Sequence, residues 1–287
     1  MKEQLEDINI CLILDNNYVI PTIVAITSAI LNKDTSSIYN FYLIVDNLSK
    51  ENIAKIKQLE QKKVNINIIN TDISKYKNIF VHTHVSKTAC LKFDIPNLLN
   101  LDKVLYLDGD IIVRKDLKDL YKKDISNYYL AAVRDMGGEL GQHFNTTIGV
   151  EKYFNSGILL LNLDKIRREN LSKQFIEIKL AHPDWVCMDQ DTLNYVMSKN
   201  TLWLDVKYNC MLPLYNNPQY NYSIEDINSF YGSDYTNKLE LEYDAKIIHL
   251  AGESELRPWK CKNGTYQKIW DYFYSMSPLN EENVSKR

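Results

Sequence analysis

The chain has 287 residues, with 34 Lys and Arg against 37 Asp and Glu and a formal net charge of −3. That near-neutral balance gives no electrostatic footprint for nucleic acid. A composition of 45% hydrophobic and 25% charged residues excludes a disordered or fibrous chain and fits an ordinary soluble globular one. Five cysteines, odd in number, widely spread and without a Cys-x-x-Cys pair, argue against a disulfide framework or a structural zinc site and for a reducing compartment. The acidic start MKEQLEDINI shows no signal peptide, and no apolar run approaches the ~20 residues that span a bilayer, so a cytoplasmic location is expected. Twenty tyrosines supply flat apolar rings with polar tips, which suit carbohydrate contacts as well as a core.

Residues 8–14 form an apolar run of strand length, closed by the polar turn Asp15-Asn16-Asn17. From Tyr18 to about residue 31 apolar residues recur at helical spacing, with Pro21 near the start where a helix tolerates it. A strand over 40–45, a charged amphipathic helix over about 50–61 with Ser49 as N-cap, and an alternating strand over 64–69 follow. Strand, helix, strand, helix, strand predicts a parallel sheet covered by helices, with ligands bound at the C-terminal strand ends. The turn after the first strand is then the natural place for a nucleotide.

The apolar runs 104–107 and 111–113 flank Asp108-Gly109-Asp110. Residues 129–133 and 158–163 read as buried strands, 168–179 and 189–197 as helices, and 213–232 as a loop rich in Asn and Tyr. A last strand over 245–249 precedes a segment containing Gly and Pro up to Trp259, and then a short helix to about residue 274. No repeat or low-complexity linker interrupts the chain. The reading is a single α/β domain over 1–275, with about 1–113 binding nucleotide and about 114–275 holding acceptor and metal, followed by a loose tail over 276–287.

Asp108 and Asp110 lie two residues apart, so in extended chain both carboxylates face one way. Gly109 lets the backbone pass close to a ligand. Adjacent carboxylates repel, and a hard divalent cation that also bridges phosphates relieves the repulsion. The same residues also fit a β-hairpin with an Asp-Gly turn. His249 ends an apolar strand, and Asp189 and Gln190 open a helix whose dipole favours acidic residues there. Each of these features has a purely structural reading when taken alone.

Read in order, LDKVLYLDGDIIV, YFNSGILLLNL, MDQDTLNYV and IIHLAG followed by Arg257-Pro258-Trp259 resemble glycosyltransferase family 8, over about residues 8–270. The resemblance implies the GT-A fold, in which a Rossmann-like nucleotide-binding half with a mixed central sheet is fused to an acceptor-binding half. It implies a UDP-galactose or UDP-glucose donor, Mn²⁺ with Mg²⁺ as the alternative, and retention of anomeric configuration. Asp108, Asp110 and His249 would be metal ligands. Leu14, Asp15, Asn17 and Tyr18 would form the uridine turn, with Asp15 accepting from uracil and Tyr18 stacked on its face. Asp135, Asn155, Ser156 and Gly157 would line the sugar pocket. Asp189 would bind the transferred hexose, and Gln190 would lie beside its anomeric carbon.

Two departures accompany the resemblance. Lys92 stands where the family usually has arginine, and Cys90 where it often has tyrosine, so a phosphate contact there keeps its charge but loses the bidentate fork. The last motif is two residues longer than usual, with Gly252 approaching the β-phosphate and Arg257 replacing the phosphate-binding lysine. His84 would be an upstream substrate contact. The expected activity is hexose transfer to a carbohydrate acceptor in bacterial cell-surface glycan or glycoprotein synthesis, with front-side attack favoured over a covalent intermediate because an amide is a weak nucleophile. The loop 213–235 would help hold the acceptor. A silent UDP-sugar-binding protein, a UDP-sugar hydrolase and a self-glucosylating scaffold stay open as alternatives. So do oligomeric state and peripheral membrane contact through a lipid-linked acceptor.

Overall fold

A computed structural model of the chain describes residues 5–80, 87–140, 148–217, 220, 222–251, 257–261, 264 and 266–280. His84 and Gly252 lie outside these residues, so their predicted contacts are not described.

The organising element is a seven-stranded sheet of order β3-β2-β1-β4-β7-β6-β8. Its strands are β1 (Glu6–Leu14), β2 (Ser37–Val45), β3 (Val64–Asn70), β4 (Lys103–Leu107), β6 (Leu130–Arg134), β7 (Phe154–Asn162) and β8 (Thr201–Trp203). β1, β2, β3 and β4 are mutually parallel, the first three as the alternation of strand and helix predicts. β7 then runs antiparallel to both β4 and β6, and β8 pairs parallel with β6. The sheet is therefore mixed.

The apolar character of β1 on both faces follows from its central place. Ile8, Ile10, Leu12 and Leu14 join the cluster under the helix α1 (Val19–Leu31), while Cys11 and Ile13 face a second cluster with Tyr106, Phe93 and Phe175. Period-two alternation sends successive side chains to opposite layers, and a sheet covered on both sides makes both layers apolar. Full burial of each such Ile or Leu contributes about 1.5–3 kcal/mol. A third cluster packs Trp270 and Phe273 of the Gln267–Met276 helix against Val24, Ile112 and Ile248.

The hairpin reading of Asp108-Gly109-Asp110 is corrected. β4 enters the turn from the main sheet, but β5 (Ile111–Val113) leaves it for a separate two-stranded sheet with β9 (Ile247–His249). The chain thus passes from one sheet to another at these three residues. Other boundaries also move. The helix after Ser49 ends at Lys57, with the Ser49 side chain accepting from Asn52 N as a cap should. The predicted helix over 168–179 is two helices, Leu163–Arg168 and Leu171–Ala181, broken at Asn170 in the left-handed region, φ 52°. The stretch read as loop contains the helix Ile224–Tyr231, which has a Ser223/Asp226 capping box and Gly232 at its left-handed end. All five cysteines are free. Among the described residues no helix is long and apolar enough to cross a membrane.

Candidate active site

Strand direction decides what meets at one edge. Asp15 follows the C-terminal end of β1 and Asp108 that of the parallel β4. β7 is reversed, so its first residues, Asn155 and Ser156, lie at the same edge, and so does Asp135 at the end of β6. The edge falls between β1 and β4, where the strand order turns back on itself, and open α/β sheets form their ligand crevices at such a point.

In the first turn Asp15 Oδ1 accepts from the backbone N–H of Asn17 (2.9 Å) and Tyr18 (3.2 Å). Asn16 ties this turn to the next loop. Its Nδ2 donates to Asn47 O at 2.9 Å, and its Oδ1 accepts from Ser49 N at 3.0 Å. Tyr18 meets Trp259 edge-on at 6.1 Å, and the Arg257 guanidinium lies 5.8 Å from the Tyr18 ring and donates to its hydroxyl. Arg257 also stands 3.6 Å from Asp110, and its Nε is buried with no hydrogen-bond partner.

Asp108, Asp110 and His249 form the cluster suited to a cation. One ligand atom from each lies within 4.8 Å of the others. The β5–β9 pairing sets His249 opposite Ile111, beside Asp110, and Leu250 N donates to Asp110 O at 2.8 Å. His249 Nε2 faces Asp110 Oδ1 at 3.4 Å and Asp108 Oδ2 at 3.9 Å. Two carboxylates and an imidazole suit a cation such as Mn²⁺, which accepts mixed oxygen and nitrogen ligands.

The charges of these groups act strongly on one another. Burial, reinforced by the Asp110 charge, pushes the Asp108 carboxyl above its ordinary value. Burial works the same way on Asp110, but the contact and charge of His249 outweigh it and hold that carboxyl low. Burial disfavours the imidazolium of His249, yet Asp110 and Asp108 together hold its pKa above the usual value.

Two glycines are required by close approach. A Cβ on Gly109 would lie 2.5 Å from Thr22 Oγ1 on α1, so the close neighbour of this glycine is the helix. A Cβ on Gly157 would lie 2.3 Å from His249 Cε1 and 2.9 Å from Asp108 Oδ2. β7 can run beneath Asp108 and His249 only if residue 157 has no side chain.

Lys92 is buried on a 3₁₀ turn, Lys87–Asp94, and its Nζ lies 2.9 Å from Asp189 Oδ2 and 3.3 Å from Asp108 Oδ1. Burial opposes its charge, but the two carboxylates outweigh burial and raise its pKa. Cys90, behind it, is pushed up to about 12 by burial and is a packing residue. Ser156 Oγ donates to Asp189 (3.0 Å), while Ser156 N donates to Gln190 Oε1 (2.8 Å). Gln190 Nε2 and Asn155 Nδ2 both donate to Asp135 Oδ2, at 3.0 and 3.2 Å. Met188, in the left-handed region at φ 46°, turns the chain into the Met188–Met197 helix directly before Asp189.

Of the predicted residues that the structure describes, Leu14, Asp15, Asn17, Tyr18 and Arg257 gather around the first turn, and Lys92, Asp108, Gly109, Asp110, Asp135, Asn155, Ser156, Asp189, Gln190 and His249 around the strand ends. Three residues at the edge, and Tyr222 nearby, were not named individually from the sequence. Tyr106 donates to Asp108 Oδ1 at 2.5 Å, Asn209 joins His249 to Asn155, Asn194 clasps the start of β7, and Tyr222 carries a buried hydroxyl without a hydrogen-bond partner. Only Tyr106 had a signal, since its side chain shares a strand face with Asp108.

The fold is GT-A. The galactosyltransferase LgtC, solved with donor and acceptor sugar analogs, superposes with a TM-score of 0.76 at 24% identity, covering 95% of this chain and 96% of LgtC. The chain belongs to glycosyl transferase family 8, whose family model matches residues 9–263. Glycosyltransferase GlyA of Streptococcus pneumoniae serotype 4 is 32% identical over 242 residues, which is 82% of this chain and 30% of GlyA. A lipopolysaccharide 1,2-glucosyltransferase of Escherichia coli is 27% identical over 296 residues, 96% of this chain and 80% of that protein.

Proposed function

We propose that this chain is a retaining, Mn²⁺-dependent hexosyltransferase that moves galactose or glucose from a UDP-sugar to a carbohydrate acceptor in bacterial cell-surface glycan or glycoprotein synthesis. The observation that carries the reading is the meeting, at one sheet edge, of the Asp108/Asp110/His249 cluster with the Lys92–Asp189–Gln190 pocket. Neither half alone serves donor cleavage. The cluster suits a diphosphate-bound cation, and the pocket suits a polyhydroxylated ring.

Roles follow from the geometry. Asp15 offers uracil its second carboxylate oxygen, and Tyr18 offers a ring face. Arg257, with a buried donor still unpaired, engages the diphosphate. When bound at Asp108, Asp110 and His249, Mn²⁺ supplies Lewis-acid stabilisation of the departing UDP. Lys92 adds a fixed positive charge between Asp108 and Asp189, and Asp189 binds hexose hydroxyls. Gln190 is pinned at both ends of its amide, by Ser156 N and by Asp135. An amide is a poor nucleophile, and one held in this way favours front-side attack, with the Gln190 oxygen stabilising positive charge at the anomeric carbon. Residues 222–235, with the unpartnered Tyr222 hydroxyl, help hold the acceptor. Transfer onto lipopolysaccharide-type glycan is supported by the similarity to the lipopolysaccharide 1,2-glucosyltransferase of Escherichia coli.

The test is release of UDP from a panel of UDP-sugars, with and without Mn²⁺, beside Asp110→Asn. Slow metal-dependent release from one UDP-hexose, lost in the variant and accelerated by a carbohydrate acceptor, is expected. Release that no acceptor accelerates would point to hydrolysis instead. If no donor is cleaved and UDP binds equally with or without Mn²⁺, the reading fails.

A further inference from the structure

One run of hydrogen bonds links the cation cluster to the sugar pocket, and its polarity can be deduced end to end. Gly157 N donates to Asn155 Oδ1 at 3.0 Å. A backbone N–H can only donate, so the Asn155 atom there is the carbonyl oxygen. The Asn209 atom that meets the same oxygen at 2.9 Å must then be its amide nitrogen. The other end of the Asn209 amide is therefore its oxygen, which lies 3.0 Å from His249 Nδ1. An amide oxygen accepts only, so Nδ1 carries the hydrogen.

In the neutral ring this leaves Nε2 as the bare nitrogen, facing Asp110 and Asp108. The distances agree. The Nδ1 contact has normal hydrogen-bond length, whereas Nε2 stands 3.4 Å and 3.9 Å from the carboxylates, longer than the 2.7–3.2 Å of an N–H donor bond. Asn209 is fully buried, so no water competes for its amide.

We infer that Asn209 is a positioning residue that fixes His249 as the Nδ1–H tautomer, with Gly157 N as the donor that sets the polarity of the whole run. The inference rests on the metal reading only in what Nε2 is for. Partners of this kind, which orient an imidazole through its second nitrogen, change metal affinity by about 10–100-fold when removed. Because Asn155 also donates to Asp135, which accepts from Gln190, the same run orients the amides of the sugar pocket.

The experiment has two arms. Long-range ¹H–¹⁵N spectra of the metal-free full chain, recorded above the titration of the ring and assigned with His249→Gln, report which nitrogen carries the proton. The Nδ1–H pattern is expected, and an Nε2–H pattern overturns the inference. In the second arm Mn²⁺ binding is titrated without nucleotide. Asn209→Leu is expected to weaken it about 10–100-fold, and Asn209→Asp, which keeps an acceptor for Nδ1–H, to retain most of it. Equal Mn²⁺ affinity in wild type and Asn209→Leu overturns the positioning role. A wild-type chain that shows the Nδ1–H pattern but binds no Mn²⁺ sinks the metal reading and leaves the tautomer assignment standing. The first arm needs no variant that must fold with Asn209 replaced.

Discussion

At the scale of single residues, the cluster is a set of buried groups whose titrations depend on one another. Asp108 is pushed up by burial, Asp110 is held low by His249 despite burial, and His249 is held high by its carboxylates despite burial. The signs give a pH prediction. The lowered pKa of Asp110 stabilises the fold above the ordinary carboxylate range, and that contribution is lost as pH falls through its folded value. The raised pKa of His249 contributes stability below its ordinary value of 6.5, and this is lost as pH rises through its folded value. The metal-free chain therefore loses stability on raising pH past His249, while Mn²⁺ binds more tightly, because the ligand nitrogen must be unprotonated. Urea melts and Mn²⁺ titrations on either side of that transition check both halves. Falling Mn²⁺ affinity with rising pH would contradict the prediction.

A second residue-scale prediction concerns Gly157. Gly157→Ala places a methyl against His249 and Asp108 and should lower turnover by about 100-fold, the cost of a displacement of roughly 1 Å at a reacting site. Far-UV spectra should stay unchanged. An alanine variant with near wild-type kinetics would show that the ligands can move aside. Residues with a pattern were legible: Asp108 and Asp110 through their spacing, His249 through its strand end and neighbours. Asn209 was not, because a lone asparagine between apolar residues has no period or motif, and its role exists only through two partners that lie about 40 and 54 residues away.

At the scale of elements, what matters is how the Met188–Met197 helix is fastened to β7. Asn194 acts as an extra strand partner. Its Oδ1 accepts from Phe154 N at 2.7 Å, and its Nδ2 donates to Phe154 O at 2.8 Å and to Gln190 O at 3.0 Å. Lys179, buried on the neighbouring helix, donates to Trp185 O at 3.0 Å and so ties down the loop before Asp189. Asn194→Ala leaves both backbone groups of Phe154 unpaired in the interior and should cost about 2–4 kcal/mol by denaturant unfolding. It should also lower turnover, since Gln190 and Ser156 would lose register. A variant as stable as wild type would show that water replaces the amide.

Element type was legible where hydrophobic period was strong, as in β1, α1 and β2. It was not legible over 213–232. Asn and Tyr there hid the helix Ile224–Tyr231, although Ser223, Asp226 and Gly232 are start and stop signals that can be read by rule. The short β8 was also missed, because three residues carry too little alternation to register.

At the scale of the whole molecule, topology explains why distant motifs converge. Reversing β7 against β4 and β6 brings the start of one strand and the ends of three others, β1, β4 and β6, to a common edge, and the separate β5–β9 pair delivers His249 from the far end of the chain. The parallel half was predictable from the order of strands and helices. The reversal of β7 was not, since strand direction depends on crossovers that leave no local mark.

The most direct test of the account is a Mn²⁺ titration of the intact chain by electron paramagnetic resonance, with and without UDP, for wild type and Asp110→Asn. A single Mn²⁺ site that UDP tightens is expected, with the affinity in Asp110→Asn lowered by at least about tenfold, or ~1.4 kcal/mol. Mn²⁺ binding that neither responds to UDP nor changes in Asp110→Asn would contradict it.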